Sequence, residues 1–139
     1  MLNVIVSGMK IYTSYFANWK KLREAGVVML SVATAPPRWF TGRQLNHVAP
    51  KRFPVRESNV AFEWRYREEV LRRVNPHLFI DSLELFGLGH DVALCCYERP
   101  EVFCHRHLLA EWLTEHTGVE IREFGYVPKR PQPVQLSLF

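Results

Sequence analysis

The chain has 139 residues, 47% of them hydrophobic, which suits one globular domain with a real core. No apolar run approaches the ~18 residues that a membrane span needs, and the start, MLNVIVSGMK, is too short and lacks the charged head of a secretory signal. Three cysteines, two of them adjacent, do not make a disulfide framework and fit a reducing cytoplasm.

The net charge is only +4, so its distribution matters more than its size. Between Ala25 and Arg56 there is no acidic residue, while Arg38, Arg43, Lys51, Arg52 and Arg56 alternate with Trp39, Phe40 and Phe53. Such a loop suits a polyanion such as a nucleic acid, because phosphates take the charge and bases stack on the rings. The plainer alternative is a solvated lid, with Trp39 and Phe40 plugging the end of a sheet.

In chain order, Lys10 to Tyr15 (KIYTSY) predicts a first strand, preceded at Leu2 to Val6 by a short extra strand or a frayed start. Asn18 to Ala25 predicts a short helix with Trp19 and Leu22 inward, stopped by Gly26. Val27 to Ala33 reads as a buried strand ended by Pro36 and Pro37. The segment from Arg38 to Glu57 is long for a connection, and long loops are more often binding elements than spacers. Ser58 or Asn59 then caps a helix through Val74, with Val60, Trp64, Leu71 and Val74 on one face. On its solvated side, Glu68 with Arg72 and Glu69 with Arg73 are oriented for i,i+4 pairing. Asn75-Pro76 starts a third helix, with Phe79, Ile80, Leu83 and Phe86 inward and Gly87 and Gly89 closing it.

The segment VALCCYERPEVFCHR, Val92 to Arg106, organises the rest. Its unbroken apolar run predicts a strand buried on both faces of a parallel sheet, which cannot be an edge. Cys104, His105 and Arg106 fall in the first turn of a helix whose apolar face is Leu108, Leu109, Trp112 and Leu113, ending at Gly118. Val119 to Phe124 alternates and predicts an edge strand. Strands alternating with helices imply a three-layer α/β fold, a mainly parallel sheet of about four strands with helices on both faces, over residues 1–124. Residues 125–139 form a proline-rich tail that favours an extended linker.

Ligands in open α/β sheets sit where a strand's carboxyl end meets the next helix's free amides, which gathers Cys96, Glu98, Cys104, His105 and Arg106. Three chemistries compete there. His105, Arg106 and the helix amides suit a phosphate, with Arg38, Arg43, Lys51 and Arg52 flanking and Glu98 positioning a nucleophile or a ribose hydroxyl. Cys104 at a helix start suits a thiolate nucleophile, with Glu98 and Cys96 as further catalytic candidates. Cys96, Cys104 and His105 or His107 offer metal ligands, but their spacing matches no zinc pattern and no fourth ligand is evident, so neither a metal nor another cofactor is expected. The structural alternative makes Cys95 and Cys96 small buried hydrophobes and pairs Glu98 with Arg106 to hold the loop. His47, His77 and His90 read as surface or loop residues.

The pattern Leu94, Cys96, Glu98, then Cys104, His105 and Arg106 resembles the signature of the bacterial and archaeal family catalogued as domain of unknown function 488. The resemblance runs from about Lys10 to Phe124, including Tyr12-Thr13 and the Ala35-Pro36-Pro37-Arg38-Trp39 turn. It implies a small α/β domain, and a nucleic-acid repair role suggested for the family. The order of strand, Cys and Arg is similar to thiol phosphatases, but Cys104 and Arg106 stand too close for their loop, so that reaction is not expected.

The final residues, Gln135, Leu136, Ser137, Leu138 and Phe139, resemble the pentapeptide by which bacterial DNA polymerases and repair proteins dock on the β sliding clamp. In such peptides a leucine and the terminal aromatic enter an apolar pocket and the glutamine bonds its rim, so a few anchors carry the affinity. The resulting expectation is a replication- or repair-associated protein docked on the clamp, with a pocket for a nucleotide or nucleic acid. The alternatives are a non-catalytic clamp competitor and a thiol enzyme acting on a small metabolite.

Overall fold

A computed structural model describes residues 8–51 and 57–126. The early segment Leu2 to Val6, Arg52 and Arg56 of the basic loop, and the tail with Gln135, Leu136, Leu138 and Phe139 lie outside the described residues.

The centre is a five-stranded, wholly parallel sheet in the order β3-β2-β4-β1-β5. Its strands are β1 (Ile11–Tyr15), β2 (Val28–Ser31), β3 (Arg43–Gln44), β4 (Val92–Cys96) and β5 (Ile121–Glu123). The helices are α1 (Trp19–Glu24), α2 (Asn59–Glu69), α3 (Pro76–Gly87) and α4 (His105–Thr117). Helices α2 and α3 both pack on α4, and α1 packs on β2. For this strand order the right-handed crossover rule assigns α1 to one face of the sheet and the other three helices, which pack together, to the opposite face, giving the three layers expected.

β4 lies between β1 and β2, every one of its residues is buried, and this is what the run Val92–Cys96 requires. β5 is an edge strand, as its alternation predicted. The fifth strand was not expected: Arg43 and Gln44 lie beside Leu30 and Ser31 and extend the sheet from within the basic loop. Two residues are too few to leave a period of two, and the approach depends on Gly42, where a Cβ would lie 2.7 Å from the Phe40 ring and 3.0 Å from the Met29 carbonyl oxygen.

In α2 the expected inward face is the wrong one. Val60 is 79% and Trp64 65% exposed, whereas Phe62 and Tyr66, one turn apart, pack inward. The helix ends at Glu69, and a 3₁₀ turn at Leu71–Arg73 follows, so Leu71 is buried without continuing the helical stripe. Of the surface pairs, Glu68 meets Arg72 at 3.1 Å, while Glu69 lies 4.0 Å from Arg65. Asn75 caps α3 through Leu78 N–H, and Gly118 closes α4 in the left-handed region, at φ +76°. Among the described residues no helix is long and apolar enough to cross a membrane.

Candidate active site

The carboxyl end of β4 delivers Cys96, the loop 97–103 follows, and Cys104 is the residue that precedes α4, in extended backbone. His105 opens the helix and is buried against the ring of Tyr66, with centroids 5.5 Å apart. Its Nε2 lies 2.6 Å from the carbonyl oxygen of Val32, just past the end of β2. A carbonyl oxygen only accepts, so Nε2 carries the proton and, in the neutral ring, Nδ1 presents a lone pair. That lone pair faces two sulfurs, Cys96 Sγ and Cys104 Sγ, each at 3.8 Å.

The two thiols are driven apart electrostatically. The hydrogen bond from Cys96, opposed by burial and aided by the His105 ring and the Arg106 backbone N–H, holds the Cys104 thiol down to about 3. Cys96 moves strongly upward, through its bond to Cys104 first and burial second. It also lies 3.6 Å from Glu98 Oε1. Cys95 belongs to neither arrangement: burial pushes it up to about 12, and its Sγ lies 3.6 Å from the Ala93 carbonyl oxygen.

Over these groups opens a cavity of about 550 Å³, within the range of small-molecule sites. Cys96, Cys104 and His105 line it together with Glu98, Lys51, Phe62 and Phe103. Tyr97 forms part of the wall, its hydroxyl donating to the Ala35 carbonyl at 2.6 Å. The strand-end location expected for Cys96, Glu98, Cys104 and His105 is therefore where the fold assembles them.

Arg106 goes elsewhere. Its side chain is fully buried and forms a two-pronged pair with Glu123 of β5, Nε to Oε1 at 3.2 Å and Nη2 to Oε2 at 3.0 Å. Thr13 and His107 bond the same carboxylate, at 2.6 and 3.2 Å. The guanidinium thus neither lines the cavity nor pairs with Glu98; what Arg106 gives the site is its backbone N–H. Of the basic loop, Lys51 lines the cavity, whereas Arg43 lies over the Phe86 ring at 4.1 Å and neither Arg38 nor Arg43 is among the lining residues. His107 joins Glu123 rather than the thiols.

Three contributors escaped the sequence reading. Tyr66 and the Val32 carbonyl hold the imidazole, and Glu123 holds the helix turn that follows it. A backbone carbonyl leaves no signal in a sequence. Glu123 was visible only as one polar position of an alternating strand.

The family model DUF488-N3a, described as the active DUF488-N3 subclade, matches residues 33–117. The matched span contains the strand-end cysteine, Glu98, and the Cys104-His105-Arg106 run. No curated protein and no solved structure matches the chain.

Proposed function

The chain belongs to the DUF488-N3a family, and on that premise we propose that it is a thiol enzyme whose nucleophile is Cys104. The observation that carries this reading is the His105 ring, locked by the Val32 carbonyl so that its bare nitrogen faces the Cys104 sulfur at the floor of an open cavity. The description of the subclade as active agrees with it.

Cys104, its proton already passed to His105 Nδ1, attacks an electrophilic centre of the substrate as the sulfur anion. A sulfur–substrate bond forms, the bond to the leaving group breaks, and the leaving group departs with the proton held on His105. Glu98, at the cavity mouth, then takes a proton from water. The hydroxide cleaves the intermediate, and that proton returns to the sulfur. Cys96 donates its thiol hydrogen to the sulfur anion, and Lys51, which lines the cavity with Glu98 and with a Glu57 paired to Arg65, supplies the cationic contact for a negatively charged substrate, nucleotides and nucleic acids among them.

The same proposal places the enzyme on DNA by docking Gln135, Leu136, Leu138 and Phe139 on a bacterial β sliding clamp. Its support is the pentapeptide and the prolines at positions 128, 131 and 133 that space it from the domain. The competing reading is a clamp competitor with no chemistry of its own.

Two measurements test the parts separately. Limited treatment of metal-free protein with iodoacetamide, read by peptide mapping, is expected to label Cys104 well ahead of Cys95 and Cys96; equal or absent labelling of Cys104 overturns the thiol reading. Clamp affinity of the full chain is expected to vanish in a chain ending at Val134, and equal affinity removes the clamp from the account.

A further inference from the structure

A nucleophile and its base require one sulfur and one nitrogen, yet here two sulfurs converge on a single lone pair. Cys96 Sγ and Cys104 Sγ stand at the same 3.8 Å from His105 Nδ1, and all three atoms lie within 4.8 Å of one another. One lone pair accepts one proton, so only one sulfur can pass its proton to His105, and the second does no more than donate to the first. We propose that Cys96, Cys104 and His105 bind one Zn²⁺ ion through Sγ, Sγ and Nδ1, with the fourth position open to the cavity.

The spacing suits that ion. Tetrahedral zinc, with bonds of about 2.3 Å to sulfur and about 2.1 Å to nitrogen, has ligand edges of about 3.6 Å from sulfur to nitrogen and about 3.8 Å between sulfurs. The observed sulfur–nitrogen distances are within a few tenths of an ångström of the first. The far side of the imidazole is already arranged for metal binding, since its N–H donates to a backbone carbonyl, the usual outer support of a ligating histidine. All three residues are buried and stand on the end of a central strand and the start of a helix, so little ordering is left for binding to pay for. Two thiolates also match a thiophilic cation and offset two of its charges.

Glu98, whose Oε1 lies 3.6 Å from Cys96 Sγ, lines the same cavity, and water from that cavity completes the shell. Three protein ligands and a vacant corner are the arrangement of a reactive site rather than of a closed structural one. Binding expels the remaining thiol protons and ties up the Cys104 sulfur. The zinc form is therefore a masked state of the proposed thiol enzyme, and the inference goes beyond that reading while sharing its atoms.

The full chain, reduced and freed of metal, is titrated with Co²⁺ and with Zn²⁺. Co²⁺ is expected to give sulfur-to-metal charge-transfer absorption saturating at one ion per chain, and one equivalent of Zn²⁺ to displace it and slow Cys104 alkylation at least roughly tenfold, reversed by a chelator. Cys96→Ser is expected to lose roughly tenfold or more in Zn²⁺ affinity. Cys95→Ser, outside the cluster, is expected to keep it. Absence of the absorption together with alkylation indifferent to Zn²⁺ overturns the metal site and leaves the thiol reading standing if Cys104 still labels selectively. Stoichiometric Zn²⁺ binding by a chain whose metal-free Cys104 is inert supports the metal site and overturns the nucleophile.

Discussion

Arg106 lies along the Glu123 carboxylate, joined by two hydrogen bonds of 3.2 and 3.0 Å, with the guanidinium fully buried and the carboxylate 7% exposed. The pair ties the first turn of α4 to the edge strand β5, and so fixes the helix start that carries His105. Removing the acid strands a buried cation, the costly half of a buried ion pair. Glu123→Ala is expected to lower the unfolding free energy by about 3–5 kcal/mol in urea titrations. A loss under about 1 kcal/mol would show that the pair is dispensable.

The same carboxylate sets an acid limit. Burial raises the Glu123 pKa, but bonds from His107, Arg106 and Thr13 outweigh it and hold the group at about 2, against an ordinary 4.5. Because the folded value is the lower one, the unfolded chain binds more protons between these values. The stability this group contributes is fully present above about pH 4.5 and is lost as pH falls towards 2. Unfolding free energy measured across that window is expected to fall with acidification, and to fall less steeply in Glu123→Gln. Parallel slopes for the two proteins would remove Glu123 as the cause.

Tyr66 joins α2 to the loop after β3 and also walls His105. Its hydroxyl, in a fully buried side chain, donates to the Val48 carbonyl at 2.6 Å. Tyr66→Phe leaves that carbonyl without this partner and is expected to cost about 1–3 kcal/mol in urea unfolding. A wild-type midpoint and slope would refute the bond's weight.

Gly42 permits the short strand β3. A methyl group there meets the Phe40 ring at 2.7 Å and the Met29 carbonyl oxygen at 3.0 Å, so Gly42→Ala must displace the edge strand or the ring. The expected loss is about 1–3 kcal/mol, with faster hydrogen exchange at the Leu45 amide, which donates to Ser31 across this edge at 2.8 Å. Unchanged exchange would mean that the strand pairs without the glycine.

What the sequence revealed, and what it hid, divides by range of interaction. The run Val92–Cys96 announced a central strand because burial on both faces leaves no polar position, and Asn75-Pro76 and Gly118 announced helix ends through local backbone chemistry. Glu98 and Cys104 were legible as residues of the cavity wall because the carboxyl end of that strand is where such sheets open. The α2 face was misread because apolar Val60 and Trp64 share a stripe as regular as that of Phe62 and Tyr66, and only the α4 surface decides between them. Arg106 was misplaced for a related reason. A cation in a helix's first turn looks available to a phosphate until an acid on a distant strand, 17 residues on, claims it. The convergence of Cys96 and Cys104 on one nitrogen spans a loop whose course no local rule gives.

The central claim is that His105, held by Val32, makes Cys104 the reactive group of the cavity. Its most direct test is the rate of Cys104 alkylation in the metal-free protein, compared between the native chain and His105→Gln, whose amide can still donate to Val32. The account predicts a clear fall in rate, with the fold intact by circular dichroism, because the His105 contribution to the sulfur anion is lost while that of Cys96 remains. An unchanged rate in a folded variant would contradict it.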